Sequence, residues 1–319
     1  MMTVDRGKEQ GTRSGRPEAA GFTVALRRPE WGTLRVTGPD RATWLNGIVT
    51  CDVSAATQDQ GAWGLLLSKQ GKIEAELQIV ESGDALFIAV PPGKADEVAA
   101  TLDRYLVMED AEIEVVPGCA WWELHGAGAA TTAHEVKEET SSDGAVFAAG
   151  AMSWTALGGA ALVGPAEGLA TIEAALERAG VRVLEPAAWE AERIRLGLPR
   201  YGVDYGGQDN PHAAGLERRT VSWSKGCYLG QEVVCMQDMR GKVKRTLMRL
   251  ELDDPEVADV EADAEVTEGS PGQACGRVTS RAGGFALASL KAPATEPGTR
   301  VGVGSTMATV RALELSESQ

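Results

Sequence analysis

From Phe22 onward, glycine-containing turns cut the chain into short runs of apolar and β-branched residues, and this punctuation limits the possible folds more than any other feature. FTVAL and GTLRV read as strands, and RATWLNGIV reads as a short helix with Asp40 at its N-cap. GAWGLLLS, KIEAELQIV and ALFIAV are separated by Lys69-Gln70-Gly71 and Ser82-Gly83-Asp84, which predicts antiparallel hairpins. Val98, Leu102 and Leu106 then share one helical face. The order recurs in looser form: a strand around CAWWEL, a helix through AATTAHEVKEE, strands AMSWTAL and AALVG, and a helix EGLATIEAALERAG ending on Gly180. A helix begun near Pro186 leads into a Gly-rich stretch from Leu198 to about Ser224 that reads as loop. After Gly241 the runs are short, β-type and Gly-punctuated without a helical period, the pattern of a small antiparallel barrel or sandwich. The expected organisation is a flexible leader over residues 1–20, two interleaved α+β lobes over 21–240 and a separate β domain over 241–315.

Composition narrows the function classes. In 319 residues, no run approaches the roughly 18 apolar residues that span a bilayer. The N-terminus lacks the apolar core of a secretory signal, so a cytoplasmic address and no membrane partner are expected. Five cysteines without a CxxC, and three histidines without an HxH or HExxH pair, point to reduced thiols and no metal site. The net charge of −15 opposes stable binding to nucleic acid. Between Arg193 and Arg249, however, eleven basic residues face five acidic ones, an excess of six that leaves −21 for the remainder. An anionic ligand has one cationic segment to go to, although a solvated basic face paired with acids elsewhere would have the same composition.

Within that segment lies Lys225-Gly226-Cys227-Tyr228-Leu229-Gly230-Gln231-Glu232. A thiolate is the reactive form of cysteine, and a nearby cation such as Lys225, Arg218 or Arg219 raises its population. Gly226 and Gly230 allow close backbone approach or an unusual turn on either side of the sulfur. A structural cysteine in a tight turn would show the same letters. His212 is spaced so that a Cys/His pair is permitted but not selected, and Cys235, in the apolar run VVCM, reads as core. Trp223 is the best aromatic for stacking on a flat ligand, whereas Trp31, Trp44, Trp63, Trp121, Trp122, Trp154 and Trp189 read as core or domain seams.

KGCYLGQE resembles the thiol signature of the folate-binding YgfZ family, which includes mitochondrial iron–sulfur assembly factors and is related to the T-protein of the glycine cleavage system, GcvT. RIRLGLPRYGVD, from Arg193 to Asp204, and WLNGIVTCDV, from Trp44 to Val53, are similar to two further family blocks, and the likeness runs from about Phe22 to Leu313. It implies an α+β architecture: two ferredoxin-like lobes and a C-terminal antiparallel β-barrel in a three-domain ring around an opening that binds tetrahydrofolate or a derivative. It also implies a monomer that supports assembly or repair of iron–sulfur client proteins. Cys227 and Lys225 would carry the thiol chemistry. Trp223, Tyr228, Gln231, Glu232, Arg193, Arg195, Arg200 and Asn46 are the expected folate contacts, with helix-end salt bridges and turn-closing bonds as the plain alternatives. A folate-dependent one-carbon transferase and an RNA-binding protein of tRNA modification are the competing functions. Where T-proteins carry Gly-Gly-Ile-x-Asp-Asp, this chain has Gly71-Lys72-Ile73-Glu74-Ala75-Glu76, with Ala75 at one acid position, so the aminomethyltransferase acid is not expected to be retained. Arg195 stands where T-proteins place a pterin-binding Glu, and Asn210-Pro211-His212-Ala213 replaces the family's usual I-P-x-E.

Overall fold

A computed structural model of the chain describes residues 23–313 apart from 58, 242, 270 and 271; the expected leader lies outside the described residues. Strands β1 (Val24–Arg28) and β2 (Gly32–Thr37) are neighbours in sequence yet enter different sheets. Helix α1 (Arg41–Asn46), β3 (Ala62–Leu67), β4 (Ile73–Ser82), β5 (Ala85–Val90), α2 (Ala95–Asp103) and β6 (Glu112–Val115) follow, and the first sheet has the order β3-β4-β5-β2-β6. Next come β7 (Cys119–His125), α3 (Ala129–Glu139), β8 (Ala148–Met152), β9 (Gly159–Pro165), α4 (Leu169–Arg178) and β10 (Arg182–Val183); the second sheet has the order β10-β1-β7-β9-β8. Asp40 does not cap α1 with its side chain; its carboxylate instead accepts from Asp110 N at 2.9 Å.

The two sheets stack face to face, each with its helices on the outside. The inner faces share one apolar core that includes Leu26, Trp31, Trp63, Val80 and Phe87 with Trp121, Met152, Trp154 and Val163. Leu34, Leu45, Leu77, Ile88 and Leu102 fill the space under α1 and α2. Trp122, Leu124, Val136, Leu162 and Leu176 do the same under α3 and α4. Strands buried on both faces explain the nearly continuous apolar runs in the sequence.

The predicted C-terminal barrel is present and closed. Strands β11 to β16, namely Thr246–Leu252, Glu265–Thr267, Ala274–Ala282, Phe285–Leu290, Arg300–Val303 and Thr306–Arg311 in chain order, close in the order β11-β14-β13-β12-β15-β16 with antiparallel pairing throughout, which leaves no open edge. Helix α5 (Pro186–Leu196) joins it to the lobes, with Ile194 packed on Leu247 and Leu287. The stretch read as loop contains a single turn of helix, α6 (Glu217–Thr220), and the thiol motif runs into α7 (Gln231–Arg240), where Cys235 is half-buried rather than core.

Arg193 on α5 is only 1% exposed and distributes its donors in several directions. They reach Asp204 Oδ2 at 2.7 Å, Glu190 Oε2 at 2.8 Å, Leu198 O at 3.2 Å and, across to β13, Ser280 Oγ at 2.8 Å. Asp204 Oδ1 in turn accepts from Thr279 and Ser280, each at 2.6 Å, and Oδ2 from Arg200 N at 2.9 Å. One buried ion pair therefore fastens helix, loop and barrel. Removing a single partner of such a pair leaves an uncompensated buried charge, so Asp204→Ala should lower unfolding free energy by about 3–5 kcal/mol. Urea denaturation followed by tryptophan fluorescence measures this directly, and a loss under 1 kcal/mol would show that the pair is dispensable.

Candidate functional site

A cavity of about 280 Å³ opens between the two sheets. Trp31, Trp63, Trp154, Trp189 and Tyr201 line it together with Arg28, Glu76, Gln78, Glu123 and His125, and Arg200 and Val203 belong to the same wall. Glu76 and Gln78 stand two residues apart on β4, and Glu123 and His125 two apart on β7. Period-two side-chain geometry therefore turns each pair to the inner face of its sheet. Four polar residues, all buried, thus meet inside an apolar seam. Several polar atoms in this seam lack partners among the described residues: Gln78 Oε1, both His125 ring nitrogens and Trp154 Nε1. An unsatisfied buried polar group costs about 1–3 kcal/mol, so the seam beside the cavity is less well satisfied than the apolar cores above and below it.

The two carboxyls are driven apart in protonation. Burial, reinforced by the charge of Glu123, raises Glu76 from 4.5 to about 7, against the hydrogen bonds it accepts from Tyr205 OH at 2.6 Å and Trp63 Nε1 at 2.9 Å. Burial would raise Glu123 as well, but Arg28, with Nε 3.4 Å from Oε1, then the nearby His125 imidazole and the Gln78 amide, donating at 2.8 Å, outweigh it and hold Glu123 at about 2. His125 lies between Trp154 and Trp189, with ring centroids at 4.8 and 4.3 Å, and its Nε2 is 3.8 Å from Glu123 Oε2, beyond hydrogen-bond reach. Behind Trp63, the buried Arg219 guanidinium sits 5.8 Å from the ring, and burial lowers it to about 10.

The thiol motif is a loop fastened from below. Lys225 Nζ donates to Val49 O at 2.7 Å, Cys51 O at 2.6 Å and Asn46 Oδ1 at 3.2 Å, and lies 5.4 Å from the Tyr228 ring. Asn46 Oδ1 also accepts from Val53 N at 2.9 Å, and Ser222 N donates to Thr50 O at 2.9 Å. Gly230 has φ +80° and lies so close to the β3–β4 turn that a Cβ would meet Ser68 O at 2.6 Å, so no other residue fits. At Gly226 an added Cβ would meet open space. Tyr228 is buried in the intersheet core, and burial raises its phenol well above the ordinary range. Among five free cysteines, Cys227 alone is exposed; Gln231 and Glu232 open α7 just beyond it.

Several expected contacts are placed differently. Lys225 and Asn46 hold the loop to α1 and the segment after it. Arg193 spends its donors on the ion-pair knot, Arg195 pairs with Glu192 on its own helix, and Arg200 pairs with Glu190 at 2.7 Å while bordering the cavity. Trp223 is 46% exposed, edge-on to His212, and outside the cavity lining, whereas four tryptophans read as core or seam, Trp31, Trp63, Trp154 and Trp189, form the walls. Cys227 does not line the cavity either; Tyr228 links its loop to the same core. Sequence reasoning overlooked Gln78, Glu123 and His125 and treated the acid position as lost at Ala75, although Glu76 brings a carboxyl to the cavity. The available signal was a pair of polar residues two apart inside an otherwise apolar strand, occurring once in each lobe. Among the described residues, no group of three or more His, Cys, Asp or Glu is arranged to hold a metal ion, and no helix is long and apolar enough to cross a membrane.

No protein-family model matches the chain. It is 25% identical over 255 residues to the tRNA-modifying protein YgfZ of Colwellia psychrerythraea, covering 78% of this chain and 76% of that protein. The tRNA-modifying protein YgfZ of Vibrio vulnificus is 27% identical over 226 residues (69% and 67%), and that of Yersinia pestis 26% identical over 230 residues (68% of each). Among solved structures, the glycine cleavage system aminomethyltransferase T from Bartonella henselae superposes with a TM-score of 0.74 at 16% identity, over 94% of this chain and 89% of that one. The two sheet lobes, the closed barrel and these comparisons agree: the chain is similar to YgfZ proteins and has the fold of aminomethyltransferase T.

Proposed function

We propose that this protein binds tetrahydrofolate in the intersheet cavity and supports assembly or repair of iron–sulfur enzymes through the thiol presented at Cys227. The observation that carries this reading is the pairing of a cavity lined by tryptophans and by Glu76, Gln78, Glu123 and His125 on one side with a single exposed cysteine in a fastened loop on the other. The pterin of a folate is flat and hydrogen-bonding, which suits tryptophan walls around a polar row. Its acidic tail suits Arg28 and Arg200 at the cavity wall. When bound, a reduced folate supplies one-carbon chemistry; the chain's own residues supply a dry seam, orientation and an acid that changes protonation near neutral pH. The name borne by the relatives fits the same role, because thiolated tRNA bases depend on iron–sulfur enzymes. Docking and thiol chemistry are spatially separate in this reading, with the ligand in the seam and Cys227 facing a client.

A second reading, a folate-dependent one-carbon transferase, is favoured by Glu76, whose carboxyl reaches the cavity next to the lost acid position at Ala75. Production of methylene- or formyltetrahydrofolate from tetrahydrofolate and N-methyl donors distinguishes it, with Glu76→Gln abolishing turnover.

The leading reading predicts that Cys227→Ala leaves tetrahydrofolate affinity within twofold in a titration, while iron–sulfur enzyme activity in a deletion strain falls to the level without the protein. Full restoration by the variant would remove the thiol from the mechanism. Lys225→Met strips the charged hydrogen bonds from two carbonyls and an amide, and at about 1.5–3 kcal/mol for a bond to a charged group should cost at least about 2 kcal/mol. It should also speed proteolytic cleavage of the loop at 222–229, whereas unchanged cleavage would mean that the loop is held by other contacts. The cavity acids carry a pH test. Glu76 is raised in the fold, so its contribution to stability is fully present below about pH 4.5 and is lost as pH rises through about 7, on the order of 3 kcal/mol. Glu123 is lowered, and its contribution, present above about 4.5, is lost as pH falls toward 2. Urea midpoints from pH 4 to 9 should therefore show a decline between 4.5 and 7 that flattens in Glu76→Gln; parallel curves for the two proteins would exclude Glu76 as the titrating group.

A further inference from the structure

We propose that the guanidinium of Arg219 is a carboxylate-binding site in its own right, outside the cavity and independent of the folate reading. Arg219 is 8% exposed, yet its side chain takes part in no hydrogen bond and no ion pair among the described residues, and its guanidinium lies only over the Trp63 ring. Nε is sealed and without a partner, whereas neither terminal nitrogen is sealed from solvent. Nη1 and Nη2 are thus unpaired and open to a ligand. Arg193 is the contrast: burial would lower it, but Glu190 and Asp204 fill its donors, outweigh burial and raise it. At Arg219 burial acts with no carboxylate against it. The acceptors on its own segment are taken, because Leu216 O accepts from Arg219 N, Thr220 N and Thr220 Oγ1, Thr220 O from Thr50 Oγ1, and Thr50 O from Ser222 N. A cation–π contact recovers only part of what it costs to desolvate a guanidinium, so this charge is kept at the expense of stability.

The two terminal nitrogens lie in one plane and present parallel N–H bonds, which match the two oxygens of a carboxylate. One positive charge is on offer there: the adjacent Arg218 has Glu217 at 3.9 Å, and Lys225 is held by two carbonyls and Asn46. A single guanidinium neutralises a monoanion, whereas a phosphate dianion would leave a net negative charge on a chain that already carries −15. Residues 46–51 support both this site and the thiol loop, since Thr50 bonds Thr220 and Ser222 while Lys225 bonds Asn46, Val49 and Cys51. The ligand's carboxylate therefore docks on the same support as the element that presents Cys227. A free small acid and an acidic side chain of a peptide carry the same group, and the measurement separates them.

The test is urea denaturation of the unaltered protein, Arg219→Met and Arg219→Lys at constant ionic strength and without folate, with chloride replaced by acetate, a capped glutamyl tripeptide or phosphate. In chloride, Arg219→Met should unfold at a higher urea concentration than the unaltered protein, because an apolar side chain replaces an unpaired buried charge. Acetate and the peptide should raise the midpoint of the unaltered protein by at least about 0.3 M beyond their effect on Arg219→Met, and phosphate should do less. Arg219→Lys, which keeps the charge without the planar fork, should lose more than half of that difference. A half-saturating concentration at least tenfold lower for the peptide than for acetate assigns the site to a polypeptide ligand; any smaller ratio assigns it to a small acid. Equal shifts in the unaltered protein and Arg219→Met overturn the site, as does an Arg219→Met protein that is less stable in chloride or does not fold. A larger difference with phosphate than with acetate, or a full response in Arg219→Lys, overturns the choice of carboxylate. Because folate is absent throughout, failure here leaves the reading of the cavity standing.

Discussion

The guanidinium of Arg193 is the constraint on which the geometry of the site depends. It is buried between α5, the loop carrying Asp204 and the barrel strand carrying Ser280, and it is also part of the cavity wall. A charge at that depth is tolerated only when its hydrogen-bond capacity is filled, and here filling it requires the three pieces to arrive together. Arg200 shares in this arrangement, because its backbone N–H bonds Asp204 while its side chain bonds Glu190. The barrel, remote from the polar row, thereby fixes one wall of the cavity. The cationic excess between Arg193 and Arg249 is thus partly structural, and net charge by itself is a poor guide to where a ligand binds.

The cavity also shows how two similar sheets make one asymmetric site. Each lobe contributes a strand with two polar residues at alternate positions, yet the environments differ. Glu123 has Arg28 and an amide to stabilise its charge, whereas Glu76 has neutral donors and a charged neighbour. Two carboxyls in one seam are consequently held in different protonation states, the arrangement that separates acid and acceptor roles in many sites. The thiol loop follows a different logic. Its lysine is consumed in holding backbone carbonyls, and its second glycine exists to let the loop lie on the β3–β4 turn.

Much of the fold was legible in the sequence. Turn residues at Gly71 and Gly83 mark the hairpins, and the loss of helical period after Gly241 marks the barrel, because local backbone preference decides these features. The chemistry of KGCYLGQE was legible as a presented sulfur, and Cys227 is exposed. The polar row was not. Glu76, Gln78, Glu123 and His125 lie in runs that read simply as buried strand, and nothing local says that the two sheets face each other. For the same reason, the sequence does not show that Trp154 and Trp189, far apart in the chain, meet across His125. Lys225 looked like a modifier of the thiol because it is two residues away, but its carbonyl partners are about 175 residues distant.

The partition of β1 and β2 between sheets has a consequence for how the protein is made. β1 pairs with β7 and β10, so the first strand described must wait for segments made much later, while β2 pairs with β5 and β6. During synthesis from the ribosome, one sheet acquires all its strands while the opening segment of the other still lacks its partners. Neither half can be released by severing a hinge, and the seam that holds the cavity closes only when the chain has crossed back over its own beginning.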